Sequence, residues 1–190
     1  GTNVVASFSY AMRLYEFVQA LFITSVLAVV YPKFSKLVVS DKMEDFMGSM
    51  SQTMNVIIVA LGPIIAGCIV LSKPIVEVLF QRNAFTTDDT IMTANILVIY
   101  VTGILAFALR DIMSRGFYSL EDSKTPMINS IIAIIFNIVL NLIFIKPLGY
   151  RGLAIATATS AYIGLILFNR SMKKKIDIYT PKENIIVFIK

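Results

Sequence analysis

Four stretches of this 190-residue chain run without a charged side chain for 18 to 20 residues: Thr53–Ser72, Thr90–Leu109, Met127–Ile145 and Gly152–Asn169. A helix rising 1.5 Å per residue crosses a hydrocarbon core of roughly 30 Å in about 20 residues, so each stretch is long enough to span a bilayer. A fifth uncharged run, Phe17–Pro32, covers only about 23 Å on the same arithmetic. Its helix must extend upstream, which brings Glu16 and Arg13 to the edge of the slab or inside it. Composition agrees, with 57% apolar and 15% charged residues where soluble domains carry about a quarter charged. These lengths predict an all-α polytopic transmembrane bundle, a single membrane domain over residues 1–190. Its five spanning helices are expected near 4–31, 47–71, 88–118, 125–145 and 151–170. A sixth should begin near 181–190, where Thr180, Pro181 and Glu183 form a helix start ahead of the apolar run 185–189. Gly1 stands where an initiator Met belongs and no leader follows it, so a piece of a longer polypeptide is expected.

Several chemistries are excluded by the residues themselves. Histidine is absent and Cys68 is the only cysteine, which leaves no disulfide framework, zinc site or histidine-based catalysis within the chain. Glu16 has no second carboxylate near it in sequence to share acid and base work, so an enzyme is not expected. No cofactor motif and no phosphate-binding loop is present; transport by such a chain would draw on an ion gradient or the membrane potential.

Charge sets the expected orientation. If five helices alternate, residues 33–45, residues 110–124 and the tail from Arg170 share one side and carry twelve Lys or Arg, against four at 73–89 and 146–151. The basic side is expected in the cytoplasm. The overall charge of +5 is then a topology signal, and Arg170–Lys175 (RSMKKK) reads as an anchor to anionic lipid, with no nucleic-acid partner implied. Leu71–Phe85 is too short and too charged to span, and reads as a helix lying at the outer interface.

Three constellations remain. Arg13 and Glu16 are three apart and share a helix face. Ionisable side chains at membrane depth either face a cavity or partner, or snorkel to the interface and pair with each other. Asn137 and Asn141 share a face of the fourth helix, and Thr157 and Thr159 lie in the small-residue stretch GLAIATATSA. Two readings are open. One is a packing seam hydrogen-bonded across two helices. The other is a cation site in which Asn137, Asn141, Thr157 and a freed Leu153 carbonyl act as hard-ion ligands. The third constellation is the hairpin Arg115, Tyr118, Asp122, Lys124 and Pro126, where Ser123 or Thr125 can cap the next helix and Pro126 sits in its first turn.

The same hairpin, RGFYSLEDSKTP, resembles the signature of the MurJ/MviN family of lipid II flippases, within the multidrug/oligosaccharidyl-lipid/polysaccharide exporter superfamily. SYAMRLYE (9–16), VVYPKFSK (29–36) and VEVLFQRNAFTTDDT (76–90) resemble further family stretches in the family's order. EFVQALF departs from the pattern, lacking the Pro and Gly that follow the arginine motif, which leaves the local helix bend open. The resemblance implies most of the second lobe of a fourteen-helix flippase in the bacterial cytoplasmic membrane, moving a lipid-linked saccharide by alternating access. The partners it implies are that substrate, membrane lipids and candidate cell-wall synthesis proteins. It also implies that Arg13 lines a cationic cavity and holds the substrate diphosphate, with Glu16 beside it. Some members use positions matching Asn137, Asn141, Leu153 and Thr157 for sodium, with an acid where this chain has Asn141; sodium or proton is the coupling cation implied. The alternatives are a drug or polysaccharide exporter of the same superfamily, or a membrane scaffold that transports nothing.

Overall fold

The computed structural model describes residues 2–82 and 85–179, and every regular element among them is a helix. The helix expected near 181–190 lies outside the described residues. The elements are α1 (Thr2–Val18), a π-helical segment (Gln19–Thr24), α2 (Ser25–Val39), α3 (Met43–Val70), α4 (Ser72–Phe80), α5 (Thr87–Ser119), α6 (Lys124–Leu148) and α7 (Tyr150–Tyr179). Five helices are long and apolar enough to cross a membrane, and the first of them, Val4–Val39, fuses α1, the π segment and α2.

The connections are shorter than loop charge alone suggests. Lys33 and Lys36 belong to α2, and Arg110–Ser119 belongs to α5. Charge as such does not end these helices; a single residue in the left-handed conformation does. Asp41 (φ 55°) and Glu121 (φ 57°) turn the chain back. The Lys42 amide bonds the Leu37 carbonyl at 3.0 Å and the Asp122 amide bonds Phe117 at 2.9 Å, the six-to-one closure of a Schellman motif.

α5 is the central pillar, packed against α1, α2, α3, α4 and α7, while α6 lies mainly on α7. Ile23, Leu27, Ile57, Leu61, Ile104 and Ile112 form one buried cluster, and Ala11, Val76, Ile96, Leu97 and Ala154 a second. α4 covers Ser72–Phe80 of the Leu71–Phe85 segment and buries Val76 fully. Its partner α5 starts with a capping box: Thr86 accepts from the Asp89 amide at 3.3 Å and the Asp89 carboxylate accepts from the Thr86 amide at 2.9 Å. The outward side of α6 exposes Ile131, Ile134, Ile135, Ile138 and Leu142, as a lipid-facing helix does when no aqueous face has to be served.

The turn after α2, the turn after α5 and the basic end of α7 sit at one end of the bundle. The Ser35 and Ser119 hydroxyls are 3.3 Å apart, Phe34 meets Phe46 at 5.4 Å between ring centres, and Lys175 reaches Asp122 at 3.0 Å.

Tyr15 meets Phe107 and Ser35 meets Ser119, so twenty residues of the first helix are laid against twelve of α5. A helix both straight and parallel to α5 cannot do that; the π segment lies inside this interval. π-turns are one-residue excesses that deflect a helix and collect at functional sites. Where the expected Pro and Gly are missing, the chain carries this π segment instead.

Candidate functional site

α1 divides into two faces. Ala11 is fully buried towards the bundle, and Arg13 and Glu16 are exposed on the other side. The Arg13 guanidinium lies 5.7 Å from the Tyr10 ring, and Tyr10 is itself wedged against Phe80 and Phe85 at 4.7 and 5.1 Å. Arg13 and Glu16 do not pair with each other; ion pairs among the described residues are Arg110–Asp111 at 3.8 Å and Lys175–Asp122 at 3.0 Å. Arg13 therefore presents its fork outward from a helix anchored behind it.

The second constellation comes together between α6 and α7. The Asn137 amide donates to Ser160 Oγ at 3.1 Å and to Thr157 Oγ1 at 3.4 Å, and the Asn141 amide donates to Asn137 Oδ1 at 3.0 Å. Asn141 Oδ1 is buried without a hydrogen-bond partner. The Leu153 carbonyl is not freed. α7 begins at Tyr150, because Gly149 (φ 54°) turns the chain directly into it, so Leu153 is already inside the helix and accepts the Thr157 hydroxyl at 3.0 Å. Thr159 points away and is exposed. Ser160, missed in sequence, closes the network by bonding the Thr157 carbonyl at 2.9 Å.

The hairpin residues do separate jobs. Arg115 lies over the Tyr31 and Tyr118 rings at 5.5 and 6.0 Å, Lys124 is exposed and Pro126 is buried in the first turn of α6. The cap of α6 corrects the sequence reading: neither Ser123 nor Thr125 provides it. Asp122 does, accepting from the Thr125 amide at 3.0 Å and its hydroxyl at 2.9 Å. Burial alone would push the Asp122 carboxyl up, but the Thr125 amide, the Lys175 ammonium and the Thr125 hydroxyl hold it below its ordinary range. A carboxyl lowered on folding stabilises fully above its unfolded value, about 3.9, and that stability is lost as pH falls through the lower folded value. Asp122→Ala is accordingly expected to cost about 1–2 kcal/mol at pH 7. Melting of Asp122→Ala and wild type should converge in acid below about pH 4; an equal gap at pH 7 and pH 3 would contradict this assignment.

One charged pair, counted with the charges of 110–124 although inside the helix expected near 88–118, is part of the membrane helix here. Arg110 and Asp111 are mostly buried on α5. The Arg110 side chain lies across Gly164 of α7 and 4.9 Å from the Phe107 ring centre. The available signal was that the helical phase of α5 continues past Leu109.

An exposed arginine on one face of the first span and an amide-hydroxyl network between two others belong to a polytopic helical membrane lobe. The family described as "Lipid II flippase MurJ" matches residues 1–190, and the chain belongs to it. It is 36% identical over 171 residues to a probable lipid II flippase MurJ of Vibrio cholerae, covering 90% of this chain and 33% of that protein. It is 31% identical to the lipid II flippase MurJ of Thermosipho africanus, covering 86% and 34%. A solved structure of lipid II flippase MurJ in an inward closed conformation superimposes with a TM-score of 0.78 at 31% identity, over 90% of this chain and 36% of that one. The chain thus spans about a third of the length of the relatives it matches.

Proposed function

We propose that this chain is a C-terminal-lobe portion of a lipid II flippase that moves an undecaprenyl-diphosphate-linked saccharide from the cytoplasmic to the outer leaflet of the bacterial cytoplasmic membrane by alternating access. Family membership supports the substrate class. The observation that carries the reading is Arg13, exposed on the face of α1 turned away from the bundle and without a carboxylate partner in Glu16. A charge at membrane depth is expensive unless a polar cavity receives it. A guanidinium stays protonated and binds two phosphate oxygens at once. Glu16, on the same face, can accept hydrogen bonds from the hydroxyls and amides of the headgroup. Exposure of lipid II at the outer surface of depleted cells complemented with the full-length gene tests the reading.

The Asn137–Asn141–Thr157 network is proposed to bind the coupling cation. Support comes from Asn141 Oδ1, an amide oxygen buried with no donor, where the resemblance places an acid. Buried acceptors are nearly always satisfied, and a hard cation satisfies one.

The basic end of the bundle is proposed to face the cytoplasm. Thr87 and Glu121 are exposed at opposite ends of α5, whereas Ser119 is buried against Ser35. With Cys68 replaced, Thr87→Cys is expected to react with an impermeant thiol reagent on intact cells and Glu121→Cys only after permeabilisation. External labelling of Glu121→Cys would reverse the orientation.

A further inference from the structure

We infer that Tyr10 is the positioning residue of Arg13: its ring, clamped by Phe80 and Phe85, holds the guanidinium in the orientation in which it meets substrate phosphate. The inference rests on the reading of Arg13 as a phosphate-binding side chain.

An arginine on an exposed helix face must fix several side-chain torsions before its fork can take two phosphate oxygens at once. The rotamer freedom lost at that moment weakens binding unless something limits it beforehand. Tyr10 precedes Arg13 by three residues, so both lie on one face of α1. The guanidinium stands 5.7 Å from the ring centre, inside the roughly 6 Å over which an aromatic face attracts a cation. The contact does not compete with substrate. A guanidinium can rest on a ring and still offer its N–H edge to phosphate, because the two interactions use different parts of the group.

A ring limits an arginine only if the ring itself is held. Arg115 and Arg151 also lie over tyrosines, but Tyr31, Tyr118 and Tyr150 have no ring contact of their own among the described residues. Tyr10 has two. Phe80 of α4 lies tilted against it at 4.7 Å and Phe85 stands edge-on to it at 5.1 Å, and the two phenylalanines are 6.2 Å apart, so the three rings close a triangle. Aromatic pairs favour such offset and edge-on arrangements, which resists rotation of Tyr10 away from the guanidinium.

The phenylalanines are fixed in turn. Phe80 is followed by Gln81, which donates to Thr87 Oγ1 at 3.3 Å and accepts from Thr90 Oγ1 at 3.0 Å. Phe85 is followed by Thr86, the N-cap of α5. Both rings pack against the buried cluster that holds Ala11 and Val76. The joint between α4 and α5 thus reaches Arg13 through one side chain, Tyr10.

The test measures the affinity of the purified full-length protein for undecaprenyl diphosphate and for undecaprenol, probes that share the chain and differ in the diphosphate. The ratio of the two affinities isolates the phosphate contact. Tyr10→Leu keeps apolar bulk and loses the aromatic face. It is expected to lower the ratio about tenfold, the order a partly desolvated cation–π contact supplies, with undecaprenol affinity unchanged. Tyr10→Phe keeps the ring and should keep the wild-type ratio; a fall there would assign the effect to the hydroxyl and overturn the inference. Phe85→Leu leaves Tyr10 and Arg13 in place but loosens the clamp, and is expected to lower the ratio about threefold. It decides the matter if Tyr10→Leu does not fold, and an unchanged ratio in Phe85→Leu then overturns the clamp. An unchanged ratio in Tyr10→Leu, or an equal loss for both probes, overturns the role of Tyr10 and leaves Arg13 as the phosphate ligand. A wild-type ratio in Arg13→Ala overturns the phosphate-binding reading, and this inference with it.

Discussion

Arg13→Ala in the full-length polypeptide is expected to abolish complementation of a strain depleted of its lipid II flippase, with the protein still present in the membrane at normal level. The side chain is exposed, so its removal leaves no cavity in the bundle. On the proposed role it removes a desolvated charge contact with substrate, worth about 2–5 kcal/mol, or a factor of about 30 to several thousand in transport. Arg13→Lys separates geometry from charge. Lysine keeps the charge and loses the planar fork, so an intermediate rate is expected if phosphate oxygens are gripped in pairs. An arginine that merely snorkelled to the interface would be replaced freely by lysine and tolerated as alanine. Full complementation by Arg13→Ala at normal expression would remove the phosphate-binding role.

Gly152→Ala should damage the lobe more than any other single methyl group. A Cβ there would overlap the Phe144 carbonyl on α6, and a backbone atom cannot step aside as a flexible side chain does. Opening the α6–α7 hairpin to admit it is expected to cost about 1–3 kcal/mol. The cost should appear as a lower melting temperature together with loss of any sodium effect, because Asn137 and Thr157 are matched across the same seam at 3.4 Å. Gly149→Ala tests the turn beside it: its φ of 54° with ψ of −135° suits glycine, and some loss of stability is expected there too. An unchanged melting temperature for Gly152→Ala would contradict the close approach of the two helices.

The five spans were legible because lipid imposes one requirement, uninterrupted apolar length, and that can be counted along a chain. Arg13 was legible for the same reason in reverse: Phe17–Pro32 is too short, so the charged residues above it had to belong to the helix. Arg110 and Asp111 show the limit of counting. A charge marks the end of an apolar run but does not end a helix, and here the left-handed Glu121, ten residues beyond Asp111, does that. Asp122 as a cap was hidden by its neighbours, since Ser123 and Thr125 have equally suitable side chains and only the turn geometry selects among them. The π segment of the first span was not legible because a π-turn carries no residue signature of its own.

The central claim is that the protein to which this lobe belongs carries lipid-linked saccharide across the membrane with Arg13 on the path. The direct measurement is the fraction of lipid II accessible to an impermeant lipid II-cleaving enzyme outside intact cells, depleted of their own flippase and supplied with the full-length gene. The wild-type gene is predicted to restore external cleavage to the undepleted level, and Arg13→Ala, expressed equally, to leave it at the depleted level. External cleavage that stays at the depleted level with the wild-type gene, or that Arg13→Ala restores in full, would contradict the account.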